Sequence, residues 1–307
     1  MKVSIIGTNG MLSACITKML FDQENIVDTY GLFPPSGYSC SSYTQVNLLN
    51  EELGYPRVLD SDLIVYTAGA GVQAAVDTDS FLMYSLNVKI PIDITLQLKK
   101  LNYKGIYLSF GSYMEIGLNN DETKLFNENE IVCSALPVTN DYALSKRLYT
   151  RYMNDIGVDY TYWHFILPNM FSYDDIQPGT RLIPYVLNYL KDYLKGINPP
   201  VPKLSAGLQT RQYILMEEIL IVITKSIEKS IPSGVYNVGG GEFMTIRSMI
   251  ERLFKSHNVP INDDMFGKEI RRDSDIKSLH ISGSKLFEKI GCLPTTKIDN
   301  VFLVLNK

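Results

Sequence analysis

Short apolar runs rich in β-branched residues recur at regular intervals along the first half of the chain and predict strands. These predicted strands are Lys2–Ile6, Asn25–Tyr30, Thr44–Leu48, Asp62–Thr67, Gly105–Phe110 and Asp159–Ile166. Between them, apolar residues at helical spacing predict helices, of which the clearest are Met11–Phe21, Phe81–Leu101 and Tyr142–Asp155. Strands that alternate with helices in this way predict right-handed βαβ units, and such units build a parallel sheet.

The second half of the chain has a less regular pattern. Two helices are predicted there, at Thr180–Leu194 and Thr245–Ser256, and a break between them is marked by Pro199, Pro200 and Pro202. A chain of 307 residues is near the size at which a single hydrophobic core divides. The pattern therefore predicts an α/β protein with one large unit built on a sheet and a smaller lobe.

Composition and charge exclude several classes of protein. The chain is 45% hydrophobic and 20% charged with a net charge of −4, which is typical of globular proteins and gives no basic surface for nucleic acid or membranes. We expect no signal peptide, since the first apolar stretch is short, and no membrane span. The four cysteines form no disulfide pattern, which favours a reducing, cytoplasmic location. The three histidines lack the spacing of metal ligands, so we expect no metal.

A glycine-rich turn follows the first predicted strand and opens the first predicted helix. Its sequence is Gly7-Thr8-Asn9-Gly10-Met11-Leu12-Ser13. In such a turn the first glycine lets the chain bend sharply, and the second lets the backbone approach a pyrophosphate at the helix N-terminus. The third position usually carries a glycine for close packing of helix on strand, and here it carries Ser13. The turn predicts nucleotide binding, and an ordinary strand-to-helix turn is the alternative.

The end of the second predicted strand bears on the choice between NAD and NADP. A carboxylate there binds the 2′-hydroxyl of the adenosine ribose, whereas a basic residue suits a 2′-phosphate. The stretch from Asn25 to Leu32 has no acidic residue at its end, because Asp28 lies in the middle of the strand. No arginine or lysine is close either. We therefore expect an NAD(P) cofactor, with a preference for NADP that rests only on the missing carboxylate.

A tyrosine and a lysine stand four residues apart in the helix predicted after the fifth strand. Tyr142 and Lys146 therefore share one face of that helix. An ammonium group beside a phenol, together with the positive charge of a nicotinamide, lowers the pKa of the tyrosine from its usual value of about 10. Such a phenol can act as general acid and base between an alcohol and a ketone. Chance is the alternative, because the chain has 20 tyrosines.

Serines near the end of the fifth predicted strand could face the same pocket. Open α/β sheets bind ligands at the carboxyl ends of their strands. Ser112 is the first choice for a hydroxyl that donates to the reacting oxygen of a substrate, and Ser109 is the second. For either residue, a serine in an ordinary strand-to-loop turn is an equally good interpretation.

Taken together and in this order, the motifs resemble the extended short-chain dehydrogenase/reductase family, in particular its nucleotide-sugar epimerases, dehydratases and 4-ketoreductases. The stretches that carry the resemblance are GTNGMLS at 7–13, VYTAGAG at 65–71, Asn87, YLSFGSYMEIG at 107–117, DYALSK at 141–146, LPN at 167–169, QTRQYI at 209–214, VYNVGGGE at 235–242 and RRDSD at 271–275. The resemblance implies a doubly wound parallel Rossmann sheet in residues 1–168, joined by later segments near 209–237. Residues 169–307 then mainly form a smaller C-terminal α/β lobe that binds a nucleotide-diphosphate sugar.

The resemblance also implies roles for individual residues. Tyr142 is implied as the catalytic acid and base, Lys146 as its partner on the cofactor ribose, and Ser112 as the catalytic hydroxyl. The residues implied in cofactor binding are Gly7, Asn9, Gly10, Met11, Asn47, Leu48, Ala68, Gly69, Asn87, Tyr142, Lys146 and Pro168. Those implied in substrate binding are Ser112, Asn169, Arg211 and Arg272, and the alternative for the two arginines is an exposed surface position.

Two reactions are compatible with these residues. In the favoured one, a 4-ketoreductase, NAD(P)H reduces the C4 keto group of a nucleotide-linked 4-keto-6-deoxy sugar, as in deoxysugar biosynthesis, and Tyr142 supplies the proton. In the other, a 4-epimerase, the same triad of Ser112, Tyr142 and Lys146 works with tightly held NAD⁺. The missing carboxylate after the second strand favours the reductase. A 4,6-dehydratase is disfavoured, because Tyr113-Met114 stands where such enzymes have an Asp-Glu pair.

Further alternatives depend on single residues. Cys133 and His164 are candidates for the extra groups of a fucose-synthase-like epimerisation, but we expect structural roles for both. A cofactor-binding regulator that has lost its chemistry is a third alternative, because the sequence departs from the family pattern at Ser13, Asn47, Glu115 and Ser172. The resemblance also implies a homodimer that packs through the Tyr142 helix and the long helix before it.

Overall fold

The computed structural model describes residues 1–71, 78–173, 181–270 and 275–302, and for residues 301 and 302 only the backbone. Its strands are β1 (Lys2–Ile6), β2 (Ile26–Gly31), β3 (Ser42–Gln45), β4 (Leu63–Tyr66), β5 (Ile106–Ser112), β6 (Thr161–Leu167), β7 (Asn169–Phe171), β8 (Thr210–Leu215), β9 (Gly234–Asn237), β10 (Glu242–Thr245) and β11 (Ser278–Leu279). Within these ranges the larger sheet has seven strands in the order β3-β2-β1-β4-β5-β6-β9, all parallel. The predicted parallel Rossmann sheet is confirmed.

The helices lie between these strands, as the alternating pattern predicts. They are α1 (Met11–Asp22), α2 (Tyr55–Val58), α3 (Ser80–Tyr84), α4 (Ile90–Lys100), α5 (Glu128–Val132), α6 (Asp141–Asp155), α7 (Leu182–Leu194), α8 (Glu218–Glu228), α9 (Ile246–Ser256), α10 (Ser284–Ile290) and α11 (Ile298–Phe302). Single turns of 3₁₀-helix occupy Tyr113–Ile116 and Asp263–Met265. No helix in the described part of the chain has the length and apolar character needed to cross a bilayer.

Two predicted elements differ in the structure. The long helix predicted at Phe81–Leu101 is divided, because a π-helical turn at Ser85–Lys89 separates α3 from α4. Pro91 lies in the first turn of α4, and a proline has no N–H to continue the regular α-helical ladder. The third strand, predicted at Thr44–Leu48, is Ser42–Gln45 instead. The chain turns after it because the N–H of Leu49 donates to Oδ1 of Asn47, at 3.1 Å.

The segment near 209–237, expected to complete the larger sheet, is shared between the two sheets. Its last strand, β9, pairs in parallel with β6 and so extends the larger sheet. Its first strand, β8, lies in the smaller sheet, between the antiparallel β10 and the parallel β11, and also pairs with β7. This second sheet and α7 and α9, which pack against a common core with it, form the smaller C-terminal α/β lobe.

The larger sheet is buried on both faces, as expected for a parallel sheet. Side chains of β5 alternate between the two faces, so that Tyr107 joins one core cluster and Leu108 and Phe110 join the other. The first cluster contains residues of α4 and α6, and the second contains residues of α1 and α8. This alternation determines which residues of β5 can reach α6, and hence how the candidate site is built.

Candidate active site

The glycine-rich turn after β1 bends sharply at Gly7 and packs closely against the segment after β4. Gly7 has a φ of +117°, and a Cβ atom at this position would lie 2.6 Å from the N atom of Ala68 in the segment after β4. Gly10 is the N-cap of α1, and no side chain in the described part of the protein caps this helix end. Its first N–H groups are therefore suited to bind a phosphate. Ser13, the departure at the third position, donates its hydroxyl to the carbonyl of Gly7 at 2.6 Å.

The loop after β2 closes against this turn. Thr8 donates its hydroxyl to the carbonyl of Phe33 at 2.7 Å. The side chain of Asn9 donates to the carbonyl of Pro34 at 2.9 Å and accepts from the N–H of Ser36 at 3.0 Å. Asn9 was predicted to contact the cofactor, but its side-chain amide bonds the protein. The backbone at Asn9, with a φ of +58°, forms the bend of the turn.

Gly31 explains why no carboxylate stands at the end of β2. It is the last residue of the strand, and a Cβ atom there would lie 2.5 Å from Oγ1 of Thr8 and 3.0 Å from Cγ2. Thr8 therefore fills the space into which a side chain at position 31 would project. The sequence shows the missing carboxylate, but only the structure shows that Thr8 occupies its place.

Asn87 joins the segment after β4 to the helix that carries the candidate catalytic pair. It lies in the π-helical turn and is buried, and its side chain both accepts from the N–H of Ala70 (3.1 Å) and donates to the carbonyl of Ala70 (3.0 Å). It also donates to the hydroxyl of Ser145 on α6 at 3.0 Å. Gly69 lies beneath it, since a Cβ atom there would be 3.0 Å from Oδ1 of Asn87. These contacts hold Ala68–Gly71 beside α6.

The start of α6 is fixed by two side chains that flank Tyr142. Asn140 caps the helix by accepting from the N–H of Ala143 at 2.9 Å. Asp141 accepts from the hydroxyl of Ser80 at 2.6 Å and from that of Tyr84 at 3.3 Å. Tyr142 is half-buried in the first turn of this anchored helix.

Lys146, one turn further along α6, reaches the end of β5. Its Nζ atom donates to the carbonyl of Phe110 at 3.0 Å. Burial lowers the pKa of the Lys146 ammonium, and the nearby carboxyl group of Glu115 opposes that change. The lysine therefore lies at the carboxyl end of β5.

Ser112 is the last residue of β5 and begins the 3₁₀ turn. Its hydroxyl accepts from the N–H of Met114 at 3.3 Å, and its own N–H donates to Oε1 of Glu115 at 2.6 Å. These two bonds form a capping box. Ser112 thus stands two residues beyond the carbonyl that Lys146 contacts, and the structure brings the first-choice serine and the lysine to one strand end.

Ser109, the second choice, lies in the interior. Its hydroxyl is 2.8 Å from Nδ1 of His164, and Nε2 of His164 is 2.8 Å from the hydroxyl of Thr150. Burial lowers the pKa of His164 to about 3, so the ring is neutral near pH 7. Cys133 is exposed beside Asn129 at the end of α5. His164 thus bonds two buried hydroxyls in the interior, whereas Cys133 is at the surface.

The predicted residues near the smaller lobe have different environments. Pro168 is buried between β6 and β7, and Asn169 begins β7 opposite Tyr213. Arg211 is only 1% exposed and donates to the carbonyls of Thr210 (2.9 Å) and Ile276 (3.0 Å), so the surface alternative is wrong for this residue. Arg272 lies outside the described residues.

Two other departures from the family pattern have structural partners. Asn47 lies in the turn after β3, where it bonds Leu49, and Leu48 packs against the core of the sheet. Ser172 donates its hydroxyl to Oε1 of Glu217 at 2.5 Å. Both side chains therefore have hydrogen-bond partners within the protein.

Arg147, which the sequence does not predict as a site residue, joins α6 to the turn after β5. Its guanidinium donates to the carbonyls of Glu115 (2.7 Å), Ile116 (2.9 Å) and Leu136 (2.8 Å). The only indication in the sequence is an arginine at an inward-facing position of the helix, next to the lysine of the predicted pair. No cluster of side chains suited to hold a metal ion occurs in the described ranges.

Several solved structures of enzymes with bound NAD have a similar fold. A UDP-glucose 4-epimerase of Thermus thermophilus, solved with NAD, has a TM-score of 0.79 and 16% identity over 100% of this chain and 98% of its own. The Bordetella bronchiseptica enzyme WbmG, solved with NAD, has a TM-score of 0.75 and 16% identity over 100% and 93%. A dTDP-glucose 4,6-dehydratase of Bacillus anthracis, also with NAD, has a TM-score of 0.76 and 16% identity over 99% and 94%.

These similarities confirm the fold that the sequence resemblance implies, including the C-terminal lobe. No protein-family model matches the chain. No curated protein matches its sequence either. The roles of the individual site residues therefore stay predictions.

Proposed function

We propose that this protein is a nicotinamide-dependent oxidoreductase that acts on a carbinol or keto carbon of a nucleotide-diphosphate sugar. The observation that carries the proposal is the hydrogen bond from Lys146 of α6 to the carbonyl of Phe110, which puts the Tyr142 helix beside the strand end formed by Ser112. Solved enzymes with the same fold bind NAD and act on UDP- or dTDP-linked sugars.

In this proposal the groups of the chain move one proton. Tyr142 exchanges it with the sugar oxygen, Lys146 lowers the pKa of the phenol by its positive charge, and Ser112 donates a hydrogen bond to the same oxygen. The nicotinamide, when bound, supplies or accepts the hydride. Asn169, Arg211 and Arg272 are the residues we propose for the sugar nucleotide.

Geometry favours a dinucleotide in the crevice above the glycine-rich turn. Gly7 has the positive φ that the sharp bend requires, a Cβ atom at Gly10 would meet no atom closer than 3.9 Å, and the N-terminus of α1 offers N–H groups to a pyrophosphate. Gly31 and Thr8 place no carboxylate near the ribose 2′-position, which is why NADP remains our preference. The structures with the same fold contain NAD, so both cofactors belong in the test.

Two net reactions are proposed, each on its own observation. A 4-ketoreductase for a 4-keto-6-deoxy sugar nucleotide is favoured by the absent carboxylate at Gly31, since a cofactor that enters and leaves in each cycle need not be held tightly. A 4-epimerase is favoured by the similarity to the UDP-glucose 4-epimerase fold.

Spectroscopy of the purified protein distinguishes these reactions. The protein is dialysed and then mixed with NADPH or NADH and a panel of UDP-, dTDP-, CDP- and GDP-linked sugars and 4-keto sugars. Loss of absorbance at 340 nm with a keto sugar identifies the reductase. Retained NAD after dialysis, with an epimerised product and no net change at 340 nm, identifies the epimerase. A third outcome would instead support a cofactor-binding regulator that has lost its chemistry. In that case the wild type binds cofactor but converts no sugar, and Tyr142→Phe leaves its biological activity unchanged.

A homodimer is part of the proposal. Leu96 on α4 and Leu148 on α6 are 52% and 41% exposed, and an apolar helix surface of this kind is buried when two copies pack together. Sedimentation of the wild type should give the mass of a dimer, and Leu96→Glu combined with Leu148→Glu should give a monomer. A wild-type monomer at micromolar concentration would refute this part.

A further inference from the structure

Glu115 is a buried carboxyl group directly behind the candidate site, and the chemistry proposed above does not use it. It lies in the 3₁₀ turn after β5 and is completely buried. Oε1 accepts from the N–H of Ser112 at 2.6 Å. Oε2 is buried as well, and the nearby hydroxyl of Thr150 helps to lower the pKa of the carboxyl group. Burying a carboxyl group costs free energy, so its place beside the candidate site points to a function there.

The surroundings of Glu115 contain cations but no second acid. Lys146 and Arg147 approach from α6, and Arg147 also donates to the Glu115 carbonyl at 2.7 Å. His164 on β6 lies close by, because a Cβ atom at Gly111 would be 2.6 Å from Oε1 of Glu115 and 2.8 Å from Nε2 of His164. The ring of Tyr149 on α6 packs edge-on against His164.

Only one of these neighbours can exchange a proton with solution near neutral pH. Arg147 keeps its charge, and burial holds His164 neutral down to about pH 3. Tyr149 keeps its proton because burial raises its pKa well above 10. Burial raises the pKa of Glu115 and lowers that of Lys146, while each charge favours the other. The two groups therefore titrate together.

The geometry brings these two groups to one stretch of backbone. Lys146 bonds the Phe110 carbonyl and Glu115 bonds the Ser112 N–H, and the two residues of β5 lie about 6–7 Å apart along the strand. The ammonium and the carboxylate are held at one strand end inside the protein, where water screens them little, so each charge favours the charged form of the other.

We propose that Glu115 is a positioning residue that keeps Lys146 protonated and fixes Ser112 at the end of β5. This inference rests on the proposed function, because Lys146 in its charged form is what makes Tyr142 an effective acid and base. Glu115 touches neither substrate nor cofactor in this account and acts through its two neighbours. Glu115 therefore sets the pH above which activity falls, although it is not one of the three residues Ser112, Tyr142 and Lys146.

The test compares Glu115→Gln with Glu128→Gln. Glutamine keeps the size of the side chain and can still complete the capping box, but it removes the charge. Glu128, 8% exposed on α5, also accepts from a backbone N–H, that of Asn237 at 2.8 Å, and so controls for loss of a buried carboxyl group elsewhere. Glu115→Val is the second variant should the glutamine fail to fold, which melting temperatures will show.

The first readout needs no turnover. The rate at which acetic anhydride labels Lys146 is measured by peptide mass spectrometry between pH 6 and 10, which gives the pKa of its ammonium. We expect the midpoint to fall by at least one pH unit in Glu115→Gln, with about tenfold faster labelling near pH 6.5, and to stay unchanged in Glu128→Gln. An unchanged midpoint in folded Glu115→Gln or Glu115→Val overturns the proposal.

The second readout is the pH profile of kcat/KM with the sugar nucleotide identified above. Its alkaline limb should move to lower pH by the same amount as the labelling midpoint, and it should not move in Glu128→Gln. An alkaline limb that stays in place while the labelling midpoint moves would overturn the link between Glu115 and catalysis. If the labelling midpoint moves but no nucleotide sugar is converted by the wild type, the proposed function fails and the coupling of Glu115 to Lys146 stands.

Discussion

Replacing Gly31 with alanine tests the packing of the cofactor end of the sheet in a way that does not depend on the function. The new Cβ atom would lie 2.5 Å from Oγ1 of Thr8 and 3.0 Å from its Cγ2. Thr8 cannot turn away cheaply, because a β-branched side chain is stiff and its hydroxyl donates to the Phe33 carbonyl at 2.7 Å. Gly31 has no positive φ, so the steric contact alone determines the cost.

The magnitude follows from these contacts. Overpacking costs about 1–3 kcal/mol, and the lost hydrogen bond of Thr8 adds about 1 kcal/mol, so we expect Gly31→Ala to destabilise the protein by about 2–4 kcal/mol. In a Thr8→Gly background the clash is absent. There Gly31→Ala should be neutral or stabilising by up to about 1 kcal/mol, because it restricts the unfolded chain. The two substitutions should therefore couple by about 2–5 kcal/mol.

The assay is a double-mutant cycle on melting temperature, at about 2 °C per kcal/mol for a chain of this size. Gly54→Ala is the matched control, because a Cβ atom there would meet nothing within 4 Å, and it should change the melting temperature by no more than about 1 °C. Additive effects of Thr8→Gly and Gly31→Ala would refute the packing described for this turn.

In the double variant Thr8→Gly with Gly31→Asp, the added carboxylate should shift cofactor preference toward NAD by at least about tenfold.

Three further predictions concern the site and its supports. Ser112→Ala should lower kcat at least about tenfold and leave the Kd of the cofactor unchanged. Steady-state kinetics and a binding titration will measure these two quantities, and an unchanged kcat would exclude Ser112 from the chemistry. Arg147→Met should destabilise the protein by about 3–5 kcal/mol because three carbonyls lose their donor, and a melting temperature within 2 °C of wild type would contradict this. The third prediction concerns His164, whose pKa is about 3 in the folded protein and 6.5 in the unfolded chain, so that the unfolded chain binds more protons below pH 6.5 and the stability present above pH 6.5 is lost as the pH falls. Between pH 7 and pH 5, His164 should account for a loss of about 2 kcal/mol in the free energy of unfolding. Denaturant titrations at the two pH values should show a smaller loss in His164→Gln.

The parallel sheet could be predicted from sequence because its strands are buried on both faces and therefore read as apolar runs. The run Leu63–Tyr66 is an example, since all four of its side chains are buried. The third strand was placed wrongly because β3 is at the sheet edge and is only partly buried, so its polar sequence has no clear pattern. The division of the long helix was missed because Pro91 is tolerated in a first helical turn and gives no unambiguous break.

The candidate triad could be located from sequence because the Tyr142–Lys146 spacing is local to one helix. The residues that hold the triad in place could not be located in this way, because they act through contacts between residues far apart in the chain. Asn87 reaches Ser145 across 58 positions, and Arg147 reaches the carbonyl of Ile116 across 31. Glu115 is visible in the sequence only as a departure from the family pattern. Its burial behind Ser112 and beside Lys146 could be learned only from the fold.

Hydride transfer in wild type and in Tyr142→Phe tests the central claim most directly. Each protein is mixed with NADH or NADPH deuterated at the nicotinamide C4 and with the nucleotide sugar panel, and the sugar products are examined by mass spectrometry. The account predicts that wild type transfers deuterium to a sugar carbon, and that Tyr142→Phe binds the cofactor equally well but transfers deuterium at least about a hundredfold more slowly. Transfer at the wild-type rate by Tyr142→Phe, or a dialysed wild type that neither contains NAD nor transfers deuterium from either cofactor, would contradict it.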